Sequence, residues 1–286
     1  MKVNTDGVLL GAAMTVLPDD KRCLDVGTGT GTIALMAAQR LQAYYSEDYM
    51  VDAVEIDEAS ADEASINFRN SLWKDHLNSY NCPLNSFHQI PEGGYDLIFS
   101  NPPYFEDSLH APEFRRNNAR HTAGSLSYRD IFEFASDNLS ERGRISMILP
   151  ADQETHIRRY AGSCGFYMFR IIRIRTVPRK APCRIITEFS RCRCGTPSDE
   201  MLTIQNEGRY TEDYLSLMIF TCLPDLLLLV RFCCIQLADV LPPESFFSNV
   251  KFSNFLNRKH FFVALCKCAF CFVLFFLCSK VLIQQI

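Results

Sequence analysis

A tetrapeptide with two consecutive prolines has residue types that suit catalysis on a planar nitrogen. It directly follows the apolar segment 95–100 and consists of Asn101, Pro102, Pro103 and Tyr104. The Asn101 side-chain oxygen and the Pro102 carbonyl can accept hydrogen bonds from a planar amino group, and the two proline rings keep the loop rigid. Tyr104 can stack on a base, which is worth roughly 1–3 kcal/mol in single-strand binders. These four residues are the predicted catalytic group, acting on a conjugated nitrogen.

A glycine-rich turn upstream suits the binding of a nucleoside cofactor. It also follows a strand-like segment, and the residues that we assign to cofactor binding are Asp25, Gly27, Gly29 and Gly31. Glycine permits positive φ and close approach of the backbone to a ligand, and the helix that follows offers free N–H groups. The dinucleotide fingerprint requires glycine where Thr32 stands, so the turn fits a methyltransferase better than a nicotinamide-dependent enzyme. Asp25 is expected to orient the turn or to accept from the cofactor ammonium through water.

An acidic residue at the end of the second predicted strand completes the cofactor site. Glu55 can accept hydrogen bonds from both ribose hydroxyls, as an acidic residue does in dinucleotide folds. Asp57 competes for this role, and we prefer Glu55 because it lies nearer the carboxyl end of the apolar strand. With the tetrapeptide, these features predict methyl transfer from S-adenosyl-L-methionine to a nitrogen of low nucleophilicity. We assign no metal site.

The order of the apolar segments predicts the fold class. Strand-like segments lie at 23–26, 50–57, 95–100, 143–150, 166–177 and 184–190, and helical segments at 32–41, 60–72, 128–139 and 151–164. Strands that alternate with helices form a parallel sheet covered on both faces. The expected fold class is α/β, in a domain at residues 1–217. The family resemblance described below implies the finer expectation, a Rossmann-like methyltransferase with a mostly parallel seven-stranded sheet.

The composition changes after that domain. Residues 218–286 form a tail rich in Phe and Cys, and its segment 261–278 is apolar except for Lys267. This segment has the minimum length that spans a bilayer, so the tail is a membrane anchor, a buried helical appendage or an extension without a selected fold. We favour the last, because neither a helical stripe nor strand alternation organises it. The first residues lack the apolar core of a signal peptide, and a cytoplasmic location is the default expectation.

Charge is unevenly distributed along the chain. Residues 1–112 carry 6 Lys and Arg against 17 Asp and Glu, a net charge of −11, whereas residues 113–184 carry 14 against 7, a net charge of +7. Clustered basic residues raise the local concentration of phosphates. The basic middle third therefore indicates either an anionic partner or a solvated arginine-rich face.

Taken together, these segments resemble the bacterial tRNA1(Val) (adenine-37-N6)-methyltransferase family, a branch of the Rossmann-like methyltransferases. The likeness covers residues 1–217 and is carried by the segments 2–12, 25–31, 101–104, 115–121, 125–128 and 211–214. It implies S-adenosyl-L-methionine as cofactor and tRNA as partner, and a monomer is expected. It places Thr5 and Asp6 near the cofactor. The residues that it places against the tRNA are Arg115, Arg116, Arg120 and His121.

Three other functions fit parts of the pattern. A glutamine N5-methyltransferase of a protein substrate uses an Asn-Pro-Pro-Tyr motif in the same way, because a side-chain amide also contains a planar conjugated nitrogen. An rRNA adenine N6-methyltransferase differs only in its RNA. An inactive membrane-attached or cofactor-binding remnant is the non-enzyme alternative. The arginine-rich segment 115–121 favours an RNA substrate, since it suits phosphates.

Overall fold

The computed structural model describes residues 5–44, 48–103, 126–193 and 195–222 of the chain. The α-helices in this part are α1 Thr5–Ala13, α2 Thr32–Gln42, α3 Glu58–Arg69, α4 Tyr128–Asn138, α5 Glu154–Ser163 and α6 Glu212–Cys222. The strands are β1 Arg22–Val26, β2 Met50–Glu55, β3 Leu77–Asn81, β4 Tyr95–Ser100, β5 Leu139–Pro150, β6 Tyr167–Arg175, β7 Arg184–Ser190, β8 Ser198–Thr203, β9 Gln205–Asn206 and β10 Arg209–Tyr210.

Eight strands form one sheet in the order β3-β2-β1-β4-β5-β7-β6-β8, and β9 pairs with β10 in a small hairpin. β7 runs antiparallel to both of its neighbours, and the other neighbouring strands of this sheet are parallel. The predicted fold class is therefore confirmed, and β8 adds an eighth strand at one edge. All the carboxyl ends of the parallel strands meet along one edge of the sheet, which we call the carboxyl edge.

Two buried clusters cover the two faces of the sheet. One joins residues of α1, α2 and α3, among them Leu10, Leu41 and Phe68. The other joins residues of α4 and α5, among them Phe132 and Ile157. The central strands are buried on both sides, which explains why β1, β2 and β4 are mostly apolar and do not alternate between apolar and polar residues.

Side chains fix where two of the helices begin. Asp57 caps α3, because its Oδ2 accepts from the Ser60 backbone N at 2.9 Å. Ser127 and Asp130 form a capping box at the start of α4. The predicted helix start at Tyr128 is confirmed. Such caps satisfy backbone donors that have no partner within a helix.

Helix α1 is attached to the sheet by charged residues from distant parts of the chain. Arg40 Nη1 donates to the Gly11 carbonyl at 2.8 Å, and Arg170 Nη1 donates to the Ala13 carbonyl at 2.8 Å. Just after the helix, the Thr15 backbone N donates to Oε1 of the buried Glu188 at 2.6 Å. Cations near the carboxyl end of a helix offset the negative end of its dipole. These contacts set the position of α1 relative to the carboxyl edge.

The chain divides into two units, Met1–Cys222 and Leu223–Ile286, and every described residue belongs to the first. Helix α6 continues past the predicted boundary at Leu217 to Cys222. The apolar segment 261–278 lies outside the described residues, so the predicted nature of the tail stays a prediction. Within the described residues, none of the helices combines the length and the apolar character that crossing a membrane requires.

Candidate active site

The strand register brings the three predicted site segments to one place on the carboxyl edge. Val26 of β1 pairs with Val54 of β2 on one side and with Ser100 of β4 on the other. The next residues along the three strands are Gly27, Glu55 and Asn101. Because neighbouring strands lie about 4.8 Å apart, the glycine turn stands between the acidic residue and the tetrapeptide.

The glycine turn adopts backbone conformations that other residues rarely take. Its three glycines, Gly27, Gly29 and Gly31, have φ values of 69°, 57° and 82°. The backbone N–H groups of Gly27 and Thr28 both donate to the Val54 carbonyl, at 2.9 and 3.1 Å. The turn is thus bound to the end of β2. Its backbone lies at the carboxyl edge, where its three glycines carry no side chains.

Asp25 is fully buried beneath this turn. Its Oδ2 accepts from Thr28 Oγ1 at 2.7 Å and from the Ala34 backbone N at 3.1 Å, so it joins the turn to the start of α2. This agrees with the first predicted role of Asp25, orientation of the turn. Burial raises the pKa of Asp25 to about 7; the two hydrogen bonds lower it, and the carboxylate of Glu55 adds to the rise. The other oxygen, Oδ1, is buried with no hydrogen-bond partner in the described part of the chain.

Glu55 is held in place by backbone donors. Its Oε2 accepts from the Gly29 backbone N at 2.8 Å, and its Oε1 accepts from the Asp57 backbone N at 3.0 Å. Asp57 instead uses its carboxylate to cap α3, and the hydrogen bonds from Ser60 lower the pKa of that carboxyl. Glu55 is thus bound to the glycine turn while Asp57 is used as a helix cap, and the preference for Glu55 as the acid that binds the cofactor stays a prediction.

A matched pair of amide substitutions tests this assignment. We expect Glu55→Gln to raise the dissociation constant of S-adenosylhomocysteine at least about tenfold, because an amide nitrogen would face a backbone N–H of Gly29 or Asp57 and the negative charge would be lost. Asp57→Asn removes the same charge but keeps a good helix cap, and we expect it to bind within about threefold of the parent. Isothermal titration calorimetry measures both. An Asp57→Asn loss as large as that of Glu55→Gln would reassign the role to Asp57.

Asn101 lies beside the first turn of α1. A Cβ built on Gly7 would lie 4.0 Å from Asn101 Nδ2 and 3.5 Å from Ile33 of α2, so helix α1 approaches both the tetrapeptide and the start of α2. The preceding Ser100 fixes the end of β4, because its Oγ donates to the Val26 carbonyl at 2.6 Å. Asn101 is partly exposed, Pro102 is buried and Pro103 is exposed.

The two residues assigned from the N-terminal segment occupy the same region. Thr5 and Asp6 begin α1, and Thr5 is exposed. Asp6 Oδ2 accepts from Arg184 Nε at 2.8 Å, which ties the start of α1 to the start of β7. Their predicted contact with the cofactor stays a prediction.

Comparison with known proteins gives the family. The family model for the methyltransferase small domain matches residues 8–157 of this chain. A tRNA1(Val) (adenine(37)-N6)-methyltransferase of Flavobacterium psychrophilum is 36% identical over 217 residues, which cover 76% of this chain and 90% of that protein. A protein of the same name from Bacteroides thetaiotaomicron is 38% identical over 214 residues, covering 75% and 87%. This chain belongs to that methyltransferase family. The predicted resemblance is confirmed.

The fold of the family is also found in solved structures. A predicted O-methyltransferase from Agrobacterium tumefaciens superimposes with a TM-score of 0.53 at 17% identity, covering 74% of this chain and 94% of that one. The methyltransferase subunit of a type I restriction-modification system from Streptococcus thermophilus gives 0.51 at 13% identity, covering 77% and 52%. At such identities the likeness concerns the fold alone.

Several predicted site residues of this family member lie outside the described residues. They are Tyr104 of the tetrapeptide and the proposed RNA contacts Arg115, Arg116, Arg120 and His121. The chain re-enters the described part at Leu126, and a Cβ built on Gly27 would lie 2.9 Å from Leu126 Cδ2. Leu126 therefore covers the glycine turn. This contact could not be predicted, because Leu126 has the appearance of an ordinary apolar residue before a helix.

The end of β3 is a second part of the site that sequence reasoning missed. Asn81 Nδ2 donates to the Glu55 carbonyl at 3.0 Å, and the Cys82 backbone N donates to the same carbonyl at 3.1 Å. Asn81 also pairs with Glu55 in the parallel ladder. The end of β3 and the loop after it thus adjoin Glu55. The strand was hard to recognise because its sequence is polar and does not resemble that of a buried strand.

Proposed function

We propose that this chain transfers a methyl group from S-adenosyl-L-methionine to the exocyclic N6 of an adenine in tRNA. The observation that carries the proposal is the pairing of Val26 with Ser100, which sets the Asn101 loop directly beside the glycine turn. The named relatives act on adenine 37 of tRNA1(Val), and that anticodon-loop adenine is the expected target.

The described residues fit the cofactor. The three glycines allow the positive-φ conformations that place the turn at the carboxyl edge, and Glu55 presents a carboxylate already oriented by two backbone donors. The buried Oδ1 of Asp25 is an acceptor without a partner in the described part of the chain, and a nearby cation favours the charged form of a carboxyl whose pKa burial has raised. A donor with ammonium and sulfonium charges suits this environment. When bound, it supplies an electrophilic methyl group.

Asn101 and Pro102 would prepare the nitrogen. The lone pair of an adenine amine is conjugated with the ring and is poorly nucleophilic. When the Asn101 side-chain oxygen and the Pro102 carbonyl accept hydrogen bonds from its two N–H groups, the nitrogen shifts towards tetrahedral geometry and its lone pair turns towards the methyl carbon. Positioning and electrostatic complementarity supply most of the rate. The nitrogen forms its bond to the methyl carbon as the bond from that carbon to sulfur breaks, which leaves a neutral thioether. The methylated nitrogen is then positively charged and acidic, so it releases one proton to water and no strong general base is needed. The target base must leave its stack, which an anticodon-loop base does at low cost.

Nucleoside mass spectrometry tests the proposal with the full chain. An unmodified valine tRNA transcript, incubated with the chain and methyl-labelled cofactor, is expected to yield labelled N6-methyladenosine. The same transcript with guanosine at position 37 is the control and should yield none. Ribosomal RNA and a release-factor protein, each offered separately, cover the alternative substrates. Labelled methylglutamine, or label in ribosomal RNA but not in tRNA, would overturn the proposal.

A further inference from the structure

We propose a second RNA contact in this chain, at the turn between β6 and β7 (residues 176–183, the β6–β7 turn), where Arg179 and Lys180 bind phosphates of the tRNA backbone. The inference rests on the proposed function and adds to it a surface separate from the segment 115–121. It follows from the position of the turn, its contacts, its rigidity and its charge.

The β6–β7 turn projects from the carboxyl edge, above the level of the candidate active site. Ser100 of β4 pairs with Met147 of β5, and β5 continues to Pro150, which pairs with Arg184 at the start of β7. At about 3.3 Å per strand residue, the base of the turn stands about 10 Å higher along the strands than the end of β4. The turn therefore forms a raised wall whose nearer strand, β7, lies two strands from β4 in the sheet.

A short series of contacts links this wall to the target site. Gly7 of α1 lies against the Asn101 side chain, and the neighbouring Asp6 accepts from Arg184 Nε at 2.8 Å. Arg184 Nη1 in turn donates to the carbonyl of Cys183, the last residue of the turn, at 3.0 Å. Asp6 and Gly7 of α1 thus connect the base of the turn to Asn101. A nucleotide whose base reaches Asn101 has neighbours whose phosphates lie within reach of the wall.

The backbone of the turn is fixed. Arg175 Nη1 donates to the Pro178 carbonyl at 3.0 Å, and the Lys180 backbone N donates to the Val177 carbonyl at 3.1 Å. The Gln205 backbone N donates to the Thr176 carbonyl at 2.9 Å, which supports the turn from the start of β9. A rigid turn presents its side chains at a constant place, so binding costs less conformational entropy than it would on a loose loop.

The charges on the turn are available. Arg170, Arg173 and Arg184 are all engaged by carboxylates. Arg179 and Lys180, in contrast, are exposed, and neither forms an ion pair or a side-chain hydrogen bond within the described ranges. Exposed cations at a fixed distance from a target base are the groups that bind RNA phosphates and set the register of the substrate.

A pair of charge reversals tests the inference in the full chain. The variant R179E/K180E reverses the charges on the turn. The control K74E/R142E makes the same change in exposed residues at the opposite edge of the sheet, before β3 and near the start of β5. The dissociation constant of the valine tRNA transcript is measured at several salt concentrations between about 50 and about 200 mM, a range that includes the physiological concentration. Calorimetry with S-adenosylhomocysteine checks that the cofactor site is intact.

We expect R179E/K180E to weaken tRNA binding at least about tenfold and to reduce the slope of log affinity against log salt by about 1.5, the value for two lost phosphate contacts. Its turnover at saturating tRNA and its cofactor affinity should match those of the parent. The control should keep the parent's slope. If the two variants behave alike while the parent methylates tRNA, the inference is wrong and the proposed function stands. If the parent does not methylate tRNA, the proposed function fails and the inference falls with it.

Discussion

Replacement of Asn101 by alanine should reduce the turnover number about 10²- to 10³-fold, the usual loss when one preorganised hydrogen-bonding group is removed from a transition state. Asn101 directly follows β4 beside the glycine turn, its Nδ2 lies near Gly7 of α1, and its amide oxygen is the proposed acceptor. Its hydrogen bond strengthens as the nitrogen becomes positive, so the loss should fall on turnover rather than on substrate binding. Single-turnover transfer of labelled methyl to the tRNA transcript measures it.

Two further variants make this result specific. Asn101→Asp keeps an acceptor oxygen and should retain more activity than the alanine variant. Asn138→Ala removes an amide at the end of α4, where Asn138 Nδ2 donates to the Phe134 carbonyl far from the carboxyl edge, and its turnover should equal the parent's. Affinity for S-adenosylhomocysteine should stay within about threefold in all three variants. A parental rate in Asn101→Ala would remove the tetrapeptide from the mechanism.

Replacement of Gly31 by alanine should destabilise the folded chain by about 3–5 kcal/mol, the sum of backbone strain and overpacking. Gly31 has a φ of 82°, and a Cβ there would lie 2.4 Å from Phe68 Cε1 and 3.3 Å from Ala64 Cβ. Phe68 is itself 2% exposed, so its ring cannot move into solvent. Gly31 is also the N-cap of α2, so the strain of an added side chain would distort both the glycine turn and the start of the helix.

Substitutions at two other glycines separate the contribution of backbone strain from that of overpacking. Gly93 has a φ of 84° with nothing within 4 Å of an added Cβ, so Gly93→Ala should show the backbone strain alone, about 1 kcal/mol. Gly162 lies in α5 with the same open space and no positive φ, so Gly162→Ala should stabilise the chain by about 0.5–1 kcal/mol. Urea unfolding with a common slope ranks the variants. If Gly31→Ala is no less stable than Gly93→Ala, the contact with Phe68 carries no cost.

The part of the site that could be predicted from the sequence is the part that lies in buried parallel strands. β1, β2 and β4 are mostly apolar, and each ends at, or is directly followed by, a polar or glycine residue that could do chemistry. In a parallel sheet such residues must meet at the carboxyl edge. The relative placement of Gly27, Glu55 and Asn101 therefore follows from the order of the segments, and the register of the strands confirms it.

The elements that the sequence did not reveal are those with weak or mixed patterns. β3 and β8 are edge strands with polar, partly exposed residues, so neither shows the apolar run of a central strand. Helix α1 is apolar on nearly all sides because it is buried, and it contains Gly7 and Gly11, so no amphipathic stripe marks it. The pairing of Asp6 with Arg184 joins residues 178 positions apart, and only the folded sheet brings them together.

The attachment of α1 has a consequence for how the protein is made. The helix is the first described element to leave the ribosome, yet Asp6 and Thr15 bind Arg184 and Glu188, which belong to the seventh strand. Domains tend to fold as synthesis proceeds from the N-terminus, and contacts between distant residues form late. A nascent chain that stops before β7 has the glycine turn and the tetrapeptide but lacks these anchors for α1. The pocket should therefore be completed only near the end of domain synthesis, so that interrupted translation products cannot compete with finished molecules for the methyl donor.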